Sequence, residues 1–186
     1  MLEYEMKVLL NRDEYEVIAN RCNDNYVENQ INYYFDTDDL YMNKNGVTCR
    51  IRAKNGKYKM TIKNHCVKEK NCSIEEDVYE GDVLDSKIFD ALGLKFMGEL
   101  VTSRMFLHKD KVCEMVIDKN YYLGHTDYEI EIEYSKEAEQ KAFGYLKSIA
   151  ACLVESKIIS SVEMFLDRIG KDDSKSNRFF KRKEKY

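Results

Sequence analysis

Several features that mark multidomain or membrane-bound chains are missing from this sequence. It contains no proline, no internal repeat and no low-complexity tract, so nothing marks a linker between domains. The longest apolar run, residues 149–154, is far too short to span a bilayer. At 186 residues we expect one domain over residues 1–170, with residues 171–186 as a basic C-terminal tail or closing helix.

An excess of charge of one sign is missing as well. The 30 basic and 34 acidic side chains leave a formal net charge of only −4, although charged residues make up 34% of the chain. Because balanced charge creates no broad basic field, nucleic acid is not an expected partner. The charged fraction is above the usual quarter, so its placement along the chain carries the information.

The sequence also lacks a CxxC pair and a small-domain disulfide framework. Its six cysteines are therefore predicted to be reduced thiols, although Cys66 and Cys72 could also be neighbours in a hairpin. Glu3 and Glu5 stand where a signal peptide would need apolar residues. These features predict a soluble cytoplasmic protein that is not attached to a membrane.

What the sequence has in abundance is alternation of charged and apolar residues at period two, the pattern of a β-strand. It begins with Glu3, Glu5 and Lys7 and recurs in residues 32–36, 48–54, 57–63, 72–79, 100–108, 113–119 and 128–134. Asn55-Gly56 is a strong hairpin-turn signal between two of these segments. About eight strands with helical inserts at 12–21 and 83–92 and a helical C-terminus predict an α+β fold rich in antiparallel hairpins.

The charged faces of these predicted strands are segregated by sign. One face carries Arg50, Arg52 and Lys54, whereas another carries Glu129, Glu131 and Glu133. Glutamates about 7 Å apart on one face repel each other unless a cation lies among them. The alternative is a barrel whose apolar faces point inward and whose charged faces are solvated. Segregation favours the opposite arrangement, with a charged interior that binds metal ions and a polyanion.

A series of motifs in this sequence resembles those of a known family. Glu3-x-Glu5-x-Lys7 resembles the ExExK motif of the CYTH superfamily, the triphosphate tunnel metalloenzymes. The resemblance covers about residues 2–134. Within the superfamily the sequence is most similar to the uncharacterised bacterial CYTH branch, rather than to the class IV adenylyl cyclases or thiamine triphosphatases. It continues in order through Tyr34-Phe35-Asp36-Thr37, Leu40, Gly46, Arg50-Ile51-Arg52, Thr61-Ile62-Lys63, Arg104, Asp118, Tyr122-Leu123-Gly124 and residues 128–133.

The resemblance implies an eight-stranded antiparallel β-barrel, a tunnel with a charged lumen and flanking helices, that binds a triphosphate with divalent cations. Carboxylate oxygens suit Mg²⁺ or Mn²⁺, and the forked guanidinium of arginine suits phosphate. By motif position the implied metal ligands are Glu3, Glu5, Glu129 and Glu131, with Glu133 as a further candidate. The implied phosphate-binding residues are Lys7, Arg50, Arg52, Lys63 and Arg104, with Lys59 as an additional candidate and Asp118 in support.

The implied activity is metal-dependent hydrolysis of the terminal phosphate of inorganic triphosphate or a small organic or nucleoside triphosphate. Glu5 and Lys7 are the expected catalytic residues, with Glu5 accepting a proton from the attacking water. Two alternatives remain open. One is a class IV-type adenylate cyclase that converts ATP to cyclic AMP and pyrophosphate, and the other is a non-catalytic triphosphate- or polyphosphate-binding module. Either a monomer or a homodimer is compatible with the sequence.

Two departures from the family pattern leave positions undecided. Asn71-Cys72-Ser73 stands where a basic residue usually precedes the glutamates of the fifth strand, so either Glu75 or Glu76 faces the lumen. The C-terminal Ser-Lys that closes the tunnel in family members has two counterparts. Segment length favours Ser156-Lys157 or the Ser160 region, and residue identity favours Ser174-Lys175 with Arg178.

Overall fold

The computed structural model describes residues 2–22, 25–65, 72–83 and 86–185, with the side chains of residues 2 and 65 left out. Within these ranges the chain forms eight strands. They are β1 (Leu2–Leu10), β2 (Val27–Asp36), β3 (Val47–Lys54), β4 (Lys57–His65), β5 (Cys72–Gly81), β6 (Lys95–Lys109), β7 (Cys113–Tyr122) and β8 (His125–Tyr134).

The eight strands close into a barrel in the order β1-β5-β4-β3-β2-β6-β7-β8, and every neighbouring pair is antiparallel. Closure removes the unpaired edges that an open sheet exposes. The predicted fold class, an α+β protein built on an eight-stranded antiparallel barrel with flanking helices, is confirmed.

Among the described residues, six helices accompany the barrel, together with a 3-10 turn at Lys136–Ala138. The helix predicted at 83–92 is shorter than expected, since α3 spans only five residues. Residues 84 and 85 of the predicted segment lie outside the described ranges. The helices are α1 (Arg12–Arg21), α2 (Tyr41–Lys44), α3 (Lys87–Ala91), α4 (Glu139–Glu155), α5 (Val162–Leu166) and α6 (Lys175–Lys183).

The apolar faces of the strands point outward, beneath the helices. Helix α4 presents Leu146 and Leu153 to Ile130 and Ile132 of β8, and all four side chains are fully buried. Burying such a side chain contributes roughly 1.5–3 kcal/mol. Because successive strand residues face opposite sides, covering the outer face with apolar helices leaves the charged residues inside the barrel.

Helix α6 closes one end of the barrel. Ser174 caps its first turn by accepting a hydrogen bond from the backbone N–H of Asn177. Further along, Phe179 and Phe180 are buried, and both rings contact Tyr34 of β2. Aromatic contacts of this kind add to the free energy gained from apolar burial, so the helix is anchored as part of the fold.

None of the described helices combines the length and apolar content that crossing a bilayer requires. Cys22, Cys49, Cys113 and Cys152 are free thiols. The proposed proximity of Cys66 and Cys72 involves residue 66, which lies outside the described residues.

Candidate active site

A polar cavity of about 200 Å³ lies inside the barrel. It is smaller than the roughly 300–1,000 Å³ of pockets that enclose drug-sized ligands, so it matches a small anion. All six predicted phosphate-binding side chains and four of the five predicted metal ligands line it: Lys7, Arg50, Arg52, Lys59, Lys63, Arg104, Glu3, Glu5, Glu131 and Glu133.

The register of the strands explains why these side chains meet. Lys7 of β1 lies opposite Glu131 of β8, and Glu5 lies opposite Glu133. On the other side of the barrel, Arg52 of β3 lies opposite Lys59 of β4. Residues that pair directly across antiparallel strands point to the same face. An acidic wall and a basic wall therefore face each other across the lumen.

Three carboxylates form a compact cluster in the acidic wall. Asp118, Glu129 and Glu131 each offer one oxygen atom, and these oxygens lie within 4.8 Å of one another. The exposed fractions are 0% for Asp118, 0% for Glu129 and 7% for Glu131. Hard oxygen ligands at such spacing suit Mg²⁺ or Mn²⁺. Asp118, which the sequence placed in support, thus lies directly beside two of the expected metal ligands.

A side chain from the C-terminal helix lies among these carboxylates. The ammonium nitrogen of Lys175 is 2.9 Å from Asp118 and 2.8 Å from Glu131, and it also contacts Glu129. Burial alone would lower the pKa of Lys175, but the carboxylates around it raise the pKa well above its usual value. The same pairing holds the pKa of Glu131 far below its ordinary range, against the opposing effect of burial.

Two arginines complete the neutralisation of the cluster. Arg104 binds Asp118 with both ends of its fork, at 2.9 and 2.7 Å, and reaches Glu131 at 3.1 Å. Arg178 of α6 binds Asp127 at 2.8 Å and Glu129 at 2.9 Å. Buried charges are tolerated when they are paired in this way. Each carboxylate of the cluster therefore has a cationic partner.

The other three predicted metal ligands lie further along the lumen. Glu3 pairs with Lys63 at 3.1 Å, and Glu5 pairs with Lys7 at 3.1 Å. In the part of the chain that the structure describes, no group of three metal-ligating residues that includes Glu3, Glu5 or Glu133 has the spacing of the first cluster. Their metal role stays a prediction.

The glutamates of this region differ in their affinity for protons. Burial raises the pKa of Glu5, but Lys63, assisted by Lys7, outweighs it, so the pKa is lowered. For Glu133, although the residue is exposed, partial loss of hydration and the neighbouring charge of Glu131 outweigh the opposing charge of Arg104 and raise the pKa to about 7. The lumen thus contains one firmly ionised carboxylate next to one that titrates near neutral pH.

The basic wall shows which glutamate of β5 points inward. Glu75 lines the cavity and accepts a hydrogen bond from Arg50 at 2.9 Å, whereas Glu76 is exposed outside it. Lys59 pairs with Asp77 at 2.9 Å nearby. Glu75 is therefore the lumen residue of the two alternatives that the sequence left open.

Contacts of the C-terminal segment show which of the two candidate Ser-Lys pairs reaches the lumen. Lys157 follows the end of α4 and is exposed, whereas Lys175 and Arg178 point into the acidic wall. Ser176 joins them by accepting a hydrogen bond from Thr48 at 2.9 Å. Residue identity was the better guide here, because a change in loop length is accommodated far more easily than a change in charge.

Arg52 is an exception among the cations of the lumen. Its Nε atom donates to the Oδ1 atom of Asn32 at 3.1 Å, and within the described ranges it forms no ion pair. Burial, and then the positive charges of Arg50 and Arg104, lower the pKa of Arg52 to about 10. Asn32 is a site residue that sequence reasoning missed, because an asparagine on a strand carries no motif of its own.

Comparison with known proteins agrees with this architecture. A Bacillus subtilis protein with the name "Putative triphosphatase YjbK" is 33% identical over 147 residues, which is 71% of this chain and 77% of that protein. A solved Bacillus halodurans protein, titled a "putative adenylate cyclase", is 24% identical with a TM-score of 0.67, covering 96% of this chain and 97% of that one. A Hippeastrum protein, HpAC1, is 17% identical with a TM-score of 0.64, covering 97% and 95%.

Below 25% identity the two structural likenesses show the fold alone. The sequence evidence goes further, since a family model described as the CYTH domain matches residues 1–158. That match includes the N-terminal ExExK pattern and all eight strands. With its closed barrel and charged lumen, this chain belongs to the CYTH domain family.

Proposed function

We propose that this protein is a divalent-metal-dependent triphosphatase that removes the terminal phosphate of inorganic triphosphate or a small organic triphosphate. The observation that carries the proposal is the lumen itself, in which a basic wall faces a buried carboxylate cluster across a cavity of about 200 Å³. A polyanion and a divalent cation together would satisfy both walls. The cation would bind at the carboxylate cluster, and the polyanion would bind the cations of the basic wall.

The basic wall would bind and orient the substrate. Arg50, Arg52 and Lys63 place guanidinium and ammonium donors on adjacent strands. Arginine matches phosphate with a rigid fork, and lysine supplies a movable point charge. Fixing the phosphate chain between several such donors aligns the terminal phosphorus for attack and stabilises charge that develops on the leaving diphosphate.

The acidic wall would hold the cation. Asp118, Glu129 and Glu131 supply three oxygens whose spacing and hardness fit Mg²⁺ or Mn²⁺. When bound, the ion would offset phosphate charge and lower the pKa of a coordinated water. Lys175 contacts all three carboxylates, so a cation that binds there would have to displace its ammonium group.

Two carboxylates are candidates for accepting the proton of the attacking water. Glu5 was the expected base, but its lowered pKa makes it a weak proton acceptor and a good ligand or electrostatic partner. Glu133 lies opposite Glu5 in the register and has a pKa of about 7. A base is most effective when its pKa is close to the working pH, so Glu133 is the second candidate for the general base.

The relatives support this assignment to different degrees. The Bacillus subtilis relative carries a triphosphatase name, and HpAC1 is described as having a dominant triphosphatase activity although it was named as an adenylyl cyclase. HpAC1 and the Bacillus halodurans protein, whose title names an adenylate cyclase, are both likenesses in fold, so the name of the Bacillus subtilis relative is the stronger support. Hydrolysis is therefore the reaction to test first.

The test is a substrate panel with a product readout. Purified protein is incubated with triphosphate, thiamine triphosphate, ATP, GTP and RNA 5′-triphosphate, each with Mg²⁺, Mn²⁺ or EDTA. Phosphate release that requires the metal is expected, and Glu5→Gln is expected to lose it. Pyrophosphate with cyclic AMP would indicate cyclisation instead. Metal-dependent binding without any product would indicate a non-catalytic module.

A further inference from the structure

Asn32 of β2 is the only direct partner of the Arg52 side chain among the described residues. We infer that Asn32 is a positioning residue that orients the Arg52 guanidinium without neutralising it, and thereby reserves that positive charge for a phosphate oxygen. The inference rests on the proposed function and adds to it a residue outside the family motifs.

The geometry fixes how the two side chains face each other. Asn32 and Arg52 are directly opposite in the β2–β3 register, and the Nε–Oδ1 distance is 3.1 Å. Arginine has only donors, so the amide must present its oxygen to Nε and turn its nitrogen away. One hydrogen bond at Nε aligns the guanidinium plane and leaves both terminal nitrogens available to a ligand in the cavity that Arg52 lines.

The neutral partner distinguishes Arg52 from the other cations that line the cavity. Arg50 binds Glu75, Arg104 binds Asp118, and Lys63 binds Glu3. Lys7, Lys54, Lys59 and Lys175 likewise have carboxylate partners. Within the described ranges Arg52 therefore carries the one lining charge that is not matched by an ion pair.

The surroundings make this charge costly without a ligand. Burial and the repulsion of Arg50 and Arg104 lower the pKa of Arg52 to about 10, which means that the site disfavours the charged form. An anionic oxygen between these guanidiniums would reverse that balance. Charge-assisted hydrogen bonds from an arginine fork are among the strong interactions available to a phosphate.

Stability alone would favour a different residue at position 32. Asn32 is 1% exposed, and its Nδ2 atom has no hydrogen-bond partner among the residues that the structure describes. An aspartate of the same shape would remove this unsatisfied donor and form a buried ion pair with Arg52. The asparagine thus forgoes an available stabilising interaction, which is expected where an uncompensated charge is needed for binding.

The test compares Asn32→Asp with Asn29→Asp. Asn29 lies on the same strand but is exposed, so both variants add one negative charge and differ only in which side of the strand receives it. Binding of inorganic triphosphate is measured by calorimetry in EDTA, which prevents metal-dependent turnover. Asn32→Asp should weaken binding at least tenfold and raise the midpoint of thermal unfolding, whereas Asn29→Asp should leave both near wild type.

A third variant separates orientation from charge. Asn32→Ala removes the acceptor but keeps the Arg52 charge, so its affinity should fall between those of wild type and Asn32→Asp. Equal binding by wild type and Asn32→Asp would overturn the inference, as would a loss of affinity that merely follows a loss of stability. If the wild type binds triphosphate neither with nor without Mn²⁺, the proposed function is wrong, and the inference that rests on it is wrong as well.

Discussion

The ammonium nitrogen of Lys175 lies 2.8 Å from Oε2 of Glu131, although one residue is on the C-terminal helix and the other is in the barrel wall. The contact places a positive charge of the chain at the carboxylate cluster where a divalent cation would bind. The cluster is therefore charge-balanced before any metal arrives. Metal binding and the position of α6 are expected to be linked through this lysine.

Lys175→Met should reveal that link. Removing the ammonium leaves buried carboxylates short of a partner, which we expect to lower the free energy of unfolding by about 3–5 kcal/mol in EDTA. Mn²⁺ should bind more tightly than to wild type, because it no longer competes with the lysine, and it should restore much of the lost stability. Urea unfolding with and without Mn²⁺, together with calorimetry, measures both effects.

Lys181→Met is the matched control, since Lys181 is on the same helix but pairs with Asp173 at the surface. It should change stability by less than about 1 kcal/mol and leave Mn²⁺ affinity unaltered. Weaker Mn²⁺ binding by Lys175→Met than by wild type would contradict the competition.

Glu131→Gln should abolish most of the proposed activity. Glu131 belongs to the buried carboxylate cluster and contacts both Lys175 and Arg104, so the amide removes a negative charge at the centre of the candidate site. We expect phosphate release from triphosphate to fall at least about a hundredfold, on the scale of losing one preorganised electrostatic group. The exposed Glu137→Gln serves as the control, and comparable activity of the two variants would refute the assignment.

Gly98→Ala tests how α6 is held against the barrel. Gly98 has a φ of +139°, and a Cβ atom there would lie 2.8 Å from the Phe179 ring. Both the backbone strain and the displaced ring should destabilise the protein by about 1–3 kcal/mol and increase amide exchange in α6. In Gly144→Ala, the added Cβ in α4 would meet no described residue within 4 Å, so this variant should instead stabilise the protein by up to about 1 kcal/mol. A change in the free energy of unfolding that has the same sign in both variants would argue against this packing.

Acid should weaken the attachment of α6 to β8. Burial alone would raise the pKa of Asp127, but Arg178 outweighs it and keeps the pKa below its ordinary value of 3.8. A depressed pKa contributes stability above 3.8 that is lost as the pH falls through the lower folded value. The free energy of unfolding should therefore decline less steeply below pH 3.8 in Asp127→Asn than in wild type. Asp167→Asn, at an exposed carboxylate, should follow the wild-type curve.

Much of the barrel could be predicted because strand alternation is a local property. The pattern around Arg50 and Arg52 predicted a strand with one charged face, and the structure has β3 there with both side chains at the cavity. The sign of the charge on that face could also be predicted without the three-dimensional structure. Apolar residues on the opposite face have to be buried, and the helices predicted from the sequence could bury them.

The partners of each charge could not be predicted in the same way. Arg104 and Asp118 meet because β6 and β7 pair in one register, and a shift of one residue would have separated them. Asn32 gains significance only because Arg52 lies directly across from it. Choosing between Lys157 and Lys175 required knowing which segment returns to the barrel end.

The sequence by itself determined the strands, the polarity of their faces and the kinds of charged group available to a ligand, because these depend on near neighbours along the chain. Tertiary structure alone decided that Lys175 enters the carboxylate cluster and that Arg52 is left with a neutral partner. Those pairings arise from barrel closure and helix docking, which bring distant residues within hydrogen-bonding distance, where electrostatic interactions are strong enough to determine function.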